Sequence, residues 1–88
     1  MIRRRVVVHG RVQGVFFRDS TRRQAEKTRV AGWVRNREDG AVEAVFEGGD
    51  DAVARIVDWV REGPGHADVE RVEVAEEEPE GLRGFQIR

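Results

Sequence analysis

The stretch His9-Gly10-Arg11-Val12-Gln13-Gly14-Val15-Phe16-Phe17-Arg18 holds the residue types best suited to chemistry in this chain. It follows a β-branched run and opens a segment with helical spacing. The first amides of a helix have no partner within it and carry partial positive charge, so they favour an anion. Glycines at 10 and 14 let the loop fold back until successive N–H groups point inward at one ligand. Arg18 is informative because a fixed cation at a helix N-terminus is electrostatically unfavourable. A dianion held between Arg18 and the amides removes that conflict, so the chemistry described is capture of a phosphate-like group. The residue types alone leave a second reading open, in which Gly10 and Gly14 shape a turn and Arg18 is a solvated cation. The loop is not a Walker loop, since no Gly-Lys-Ser/Thr follows, and it does not match G-x-G-x-x-G.

The elements that must position this loop can be read from periodicity. Arg3 to Val8 predicts a strand whose β-branched run suits burial on both faces. A loop at Gly10–Gly14 leads to a helix from Phe17 to Thr28, with a thin apolar stripe of Phe17, Thr21 and Ala25. Ala31 to Arg35 reads as a strand, and Asn36-Arg37-Glu38-Asp39-Gly40 supplies hairpin turn chemistry. Ala41 to Glu47 alternates Val42/Ala44/Phe46 against Glu43/Val45/Glu47, the pattern of a half-buried strand. Gly48-Gly49-Asp50 ends it and offers an N-cap to a second helix. In that helix Val53, Ile56, Val57 and Val60 form one stripe, and Gly63-Pro64-Gly65 stops the run. Asp68 to Glu76 is a strand with Val72 and Val74 on one face and Val69 on the other, so a bulge or a late start is expected. Glu76 to Gly81 reads as a solvated acidic turn, and Phe85-Gln86-Ile87 as a short edge strand.

This order predicts an α+β fold: a ferredoxin-like split β-α-β sandwich, an antiparallel sheet with two helices on one face and a short extra C-terminal strand. The first two strands run toward the same edge with the third between them. The Gly10–Phe17 loop and Asn36 therefore meet at that edge, about two strand spacings or roughly 10 Å apart.

With 88 residues and 39% hydrophobic content, the chain has material for one core and is read as a single domain over 1–88. It has no cysteine, which excludes disulfides, thiolate catalysis and cysteine-based zinc sites and suits a reducing compartment. Val6-Val7-Val8 is far shorter than the about 7–15 apolar residues of a secretory core or the about 20 of a membrane span. A soluble, cytoplasmic protein is expected. The net charge of −1 conceals an asymmetry: residues 1–37 sum to +9 and residues 38–88 to −10. A basic N-terminal part points toward an anionic ligand, nucleic acid or small phosphate. The charged content of 38% also suits surface ion-pair networks.

Two longer patterns resemble the signatures of the acylphosphatase family. Val8-His9-Gly10-Arg11-Val12-Gln13-Gly14-Val15-Phe16-Phe17-Arg18 is similar to the first, and Gly32-Trp33-Val34-Arg35-Asn36 with Gly40, Val42 and Gly48 to the second. The resemblance extends to the Gly-Phe-Gln-Ile-Arg end, and the family's fold agrees with the order above. It implies hydrolysis of an acyl phosphate to a carboxylate and inorganic phosphate. It implies that Arg18 binds the phosphoryl group beside the backbone amides of Gln13, Gly14, Val15, Phe16, Phe17 and Arg18. Asn36 then holds the attacking water, and Gly10, Gly14 and Gly40 are structural glycines. A carboxylate leaving group, with a conjugate-acid pKa near about 4, asks for no strong general acid. Phosphoryl transfer asks mainly for positioning and charge stabilisation, so no cofactor and no metal are expected. The chain departs from the family at Arg29, where many relatives have glycine after the first helix. His9 and Phe16 fall at positions where relatives vary.

Other candidates carry less. His9 and His66 are not at metal-ligand spacing, Trp33 and Trp59 suit packing, and Asp19 is an ordinary first-turn acid. A nucleic-acid module shares this element order. Here strand one has no aromatic, and strand three offers only Phe46 on its core face, leaving bases little to stack on. The expected partner is a small acyl phosphate, with no nucleic acid and no membrane, and the expected state is a monomer.

Overall fold

The computed structural model describes residues 1–88. Its elements run β1 (Ile2–Arg11), α1 (Phe17–Thr28), β2 (Ala31–Asn36), β3 (Val42–Gly48), α2 (Asp50–Glu62), β4 (Asp68–Glu77) and β5 (Phe85–Ile87). The hairpin expected from Asp-Gly pairs β2 with β3, with Asn36 opposite Val42 and Trp33 opposite Val45. β3 also lies antiparallel to β1, so the sheet order is β4-β1-β3-β2-β5. β1 and β2 therefore point the same way with β3 between them.

The four expected strands are antiparallel neighbours, and the short extra strand is added at the β2 edge. It makes the sheet mixed, because β5 pairs parallel to β2, with Gly32 opposite Phe85 and Val34 opposite Ile87. The cause is the route of the chain. It leaves β4 where Glu77 faces Arg3, crosses that end of the sheet, and enters β5 in the direction of β2.

Both helices pack their apolar stripes on one face. Phe17, Thr21 and Ala25 of α1 are buried, as are Val53, Ile56, Val57 and Val60 of α2. They close over Val6, Val8, Val34, Val42, Ala44, Phe46 and Phe85 in one core cluster. Ring pairs join elements within each layer: Phe17 of α1 against Trp59 of α2 at 6.2 Å, and Phe46 of β3 against Phe85 of β5 at 5.8 Å. Phe46 is a core residue, as its alternation predicts. The expected side-chain cap on α2 is absent. Gly49 is the N-cap residue, and Asp50 and Asp51 stand in the first turn, where they favour the helix dipole instead.

The bulge expected in β4 lies where its register against β1 shifts, between Arg71 opposite His9 and Val69 opposite Gly10. Gly10 has φ 130°, and a Cβ there would meet the Asp68 carbonyl oxygen at 2.2 Å. Arg29, just after α1, takes the left-handed conformation, with φ 58°.

The other sheet face departs from expectation. Alternation predicts Glu43 and Glu47 at a half-solvated surface, yet both are buried together with Val45. Arg3, Arg5 and Arg35 lie across them. Arg3 Nη1 donates to Glu47 Oε2 at 2.6 Å, Arg5 Nη1 to Glu43 Oε2 at 2.6 Å, and Arg35 Nε to Glu43 Oε1 at 2.7 Å. Glu77 accepts from Arg3 and Arg5, so the run Glu76-Glu77-Glu78 is not simply a solvated loop. The guanidinium groups of Arg5, Arg35 and Arg88 also stand over Trp33. Much of the N-terminal positive charge is thus spent inside the fold rather than offered to an anion.

Candidate active site

The top of the sheet, where β1 and β2 both end, carries a cleft of about 310 Å³. Arg18 and Asn36 line it together, with Gly14, Phe16 and Phe17 from the loop. Two elements converge to make it. The Val12–Phe16 loop runs from β1 into α1, and Asn36 is the last residue of β2.

The loop is shaped by two left-handed residues, Gly14 with φ 72° and Phe16 with φ 60°. Gly14 takes this conformation without steric cost, whereas Phe16 does so against its preference. The result is a run of amides that turn away from regular pairing. The first backbone bond of α1 that reaches back into the loop is from Ser20 N–H to the Phe16 carbonyl, at 3.0 Å. The amides of Gln13 through Arg18 donate to no acceptor in the protein. They are free for an anion at a helix N-terminus.

Arg18 is half-buried at this mouth. Its neighbour Asp19 does not neutralise it, because Asp19 is engaged by Arg22 at 3.2 Å and Arg23 at 2.9 Å. The Arg18 guanidinium thus keeps its donors for a ligand. Asn36 is also half-buried, with its carboxamide unengaged by other side chains. Such a group accepts through oxygen and donates through nitrogen at one place.

Not all the residues singled out from sequence reach the cleft. Phe17 is buried in the core as well as lining it, and Val15 is half-buried beside it. Gly10 lies in the bulge against β4, and Gly40 in the β2–β3 turn with φ 92°. That turn is tight: Arg37 N–H bonds the Ala41 carbonyl at 2.8 Å, and Asp39 Oδ1 accepts from the Ala41 amide at 3.1 Å. The Ala41 amide, aided by Arg37, holds the Asp39 carboxyl below its ordinary range. His9 sits away from the cleft, beside Glu73 at 3.3 Å.

Gln13 has a role that the sequence reading missed. Its Nε2 donates to the carbonyl oxygens of Arg37 at 2.8 Å and Ala41 at 3.0 Å. The side chain therefore ties the loop directly to the turn that follows Asn36. Its target lies more than twenty residues downstream, and only the predicted meeting of loop and hairpin gave a signal for it. Val12 and Ile87 also line the cleft and had no signal.

The sequence model of the Acylphosphatase family matches residues 4–87. An acylphosphatase of Rubrobacter xylanophilus is 65% identical over 86 residues, covering 96% of this chain and 77% of the relative. One of Gloeobacter violaceus is 56% identical, covering 98% and 92%. The crystal structure of acylphosphatase from Bacillus subtilis superposes with a TM-score of 0.97 at 40% identity, over 100% of this chain and 99% of that one.

Proposed function

The chain belongs to the acylphosphatase family, enzymes that hydrolyse acyl phosphates, and from that premise we propose how its own residues perform the reaction. The phosphoryl group is held by the free amides of Gln13 to Arg18 and by the Arg18 guanidinium, whose planar fork meets two phosphate oxygens. Asn36 holds a water against the phosphorus, its amide oxygen accepting a hydrogen bond from that water and orienting the water's lone pair in line with the bond to the acyl oxygen. An amide is no base, so the water is placed rather than deprotonated. The P–O bond to the acyl group breaks as the water oxygen attacks. A carboxylate departs and inorganic phosphate remains. Positive charge for the transition state comes from Arg18 and the amide dipoles, and this scheme asks for no metal ion.

The observation that carries this reading is the joint lining of one cleft by Arg18 and Asn36, beside amides with no acceptor of their own. Steady-state hydrolysis of a synthetic acyl phosphate with chelator present tests it. Arg18→Ala is expected to weaken inorganic phosphate inhibition and turnover together. Asn36→Ala is expected to spare phosphate inhibition and remove turnover; equal activity in Asn36→Ala and the parent eliminates the water-positioning role. The same reading takes residues 1–88 as one domain, supported by the single core that both helices and the sheet share. It also takes the protein as a cytoplasmic monomer, which suits a chain without cysteine. Light scattering on purified protein checks the monomer. No helix is long and apolar enough to cross a membrane.

A further inference from the structure

Large hydrophobic side chains are exposed at only four positions, Met1, Phe16, Val74 and Ile87, and two of these, Phe16 and Ile87, line the same cleft. Phe16 is 82% exposed and Ile87 37%. The Phe16 side chain contributes nothing visible to the fold. Its ring joins neither of the aromatic pairs, and its left-handed backbone costs a non-glycine residue stability rather than adding it. A bulky ring kept in solvent, on a strained backbone, at the mouth of a cleft, calls for a ligand contact.

We propose that Phe16 and Ile87 form an apolar lip that receives the acyl group and sets a preference for acyl phosphates with aromatic or branched apolar acyl chains. The inference rests on the phosphoryl placement above. With phosphate on the loop amides and Arg18, the carboxyl carbon and its substituent extend outward past these two side chains. The cleft sets the half-buried Arg18 and Asn36 beside the exposed Phe16 and Ile87, which matches a substrate charged at one end and hydrophobic at the other. The ring of Phe16 offers an offset stacking surface to an aromatic acyl group and almost nothing to a methyl group.

The test compares kcat/KM for benzoyl phosphate and acetyl phosphate, with inorganic phosphate inhibition measured alongside. Phe16→Asn keeps a residue that tolerates the left-handed conformation and removes the ring. The benzoyl-to-acetyl ratio is expected to fall roughly fivefold, the size of one aromatic contact. Phe16→Trp is expected to keep the parent's ratio, and Ile87→Ala to lower it by about twofold. Poor folding lowers both rates by a common factor and leaves the ratio intact. An unchanged ratio in Phe16→Asn therefore overturns the proposal, as does an equal drop for both substrates. If Phe16→Asn yields no folded protein, Ile87→Ala decides by the same ratio. A parent protein that hydrolyses neither substrate fails the phosphoryl placement instead, a separate outcome.

Discussion

Replacing Glu47 by alanine is expected to bring the fold close to unfolding while leaving the cleft's chemistry intact. Glu47 is 1% exposed and Arg3 3%. Glu47 binds Arg3 at 2.6 Å and accepts the backbone amides of Glu80, Gly81 and Leu82 at 2.9, 3.0 and 3.1 Å. It thereby fastens the segment that crosses from β4 to β5. Removing one partner of a buried ion pair costs about 3–5 kcal/mol. Glu77 and Glu80 still face Arg3, and water can reach part of the exposed crossing segment, so about 3–4 kcal/mol is the expected loss. A domain of this size has roughly 4–13 kcal/mol in total, and the midpoint of thermal unfolding should fall by roughly 15–30 °C. The pH dependence has a definite sign. Burial pushes the Glu47 carboxyl up, but the Glu80 amide, the Arg3 guanidinium and the Leu82 and Gly81 amides outweigh it and hold it below its ordinary 4.5. A carboxyl with a depressed folded pKa stabilises fully above its unfolded value and loses that contribution as pH falls through the folded value. The gap between parent and Glu47→Ala should therefore be widest near neutrality and narrow below about pH 4. Urea unfolding followed by circular dichroism at several pH values measures it. A loss under about 1 kcal/mol at neutral pH, or a gap that widens in acid, would refute the reasoning.

Three further outcomes follow from the geometry. Gln13→Ala breaks both bonds between the loop and the Arg37–Ala41 turn; kcat should fall about tenfold while inorganic phosphate inhibition shifts far less, and stopped assays on both quantities separate the two effects. Gly10→Ala forces a Cβ to within 2.2 Å of the Asp68 carbonyl oxygen and should cost about 2 kcal/mol or more, read by urea unfolding. Arg29→Gly relieves a left-handed side chain at φ 58° and should stabilise by about 0.5–1 kcal/mol, after the extra freedom glycine gives the unfolded chain is set against it. Parallel thermal melts of parent and variant check the sign.

Element order and helix faces were legible because their signals are local: apolar stripes in α1 and α2, and a turn sequence between β2 and β3. The meeting of the loop with Asn36 was legible at one remove, since it follows from two strands that run the same way. The direction of β5 was not, because three residues carry no information on which end of the sheet they enter from. Nor was the burial of Glu43 and Glu47. Period-two alternation assigns charged residues to water, and two of the three arginines that make burial tolerable, Arg3 and Arg5, lie about forty residues earlier in the chain. For the same reason the basic N-terminal part read as a ligand-facing charge, when Arg3 and Arg5 are structural. Gln13 was recognised for its amide, whereas its side chain does the visible work.

The strand order has a bearing on when this enzyme becomes one. The amide-bearing loop hangs from β1 and Asn36 from β2, and these two strands never pair; β3 lies between them and pairs with both. Until the middle strand has inserted, closing a separation as long as Ile2 to Gly48, each half of the machinery exists without the other. Regained turnover in a refolding chain is thus a clock for completion of the whole sheet rather than of any one hairpin.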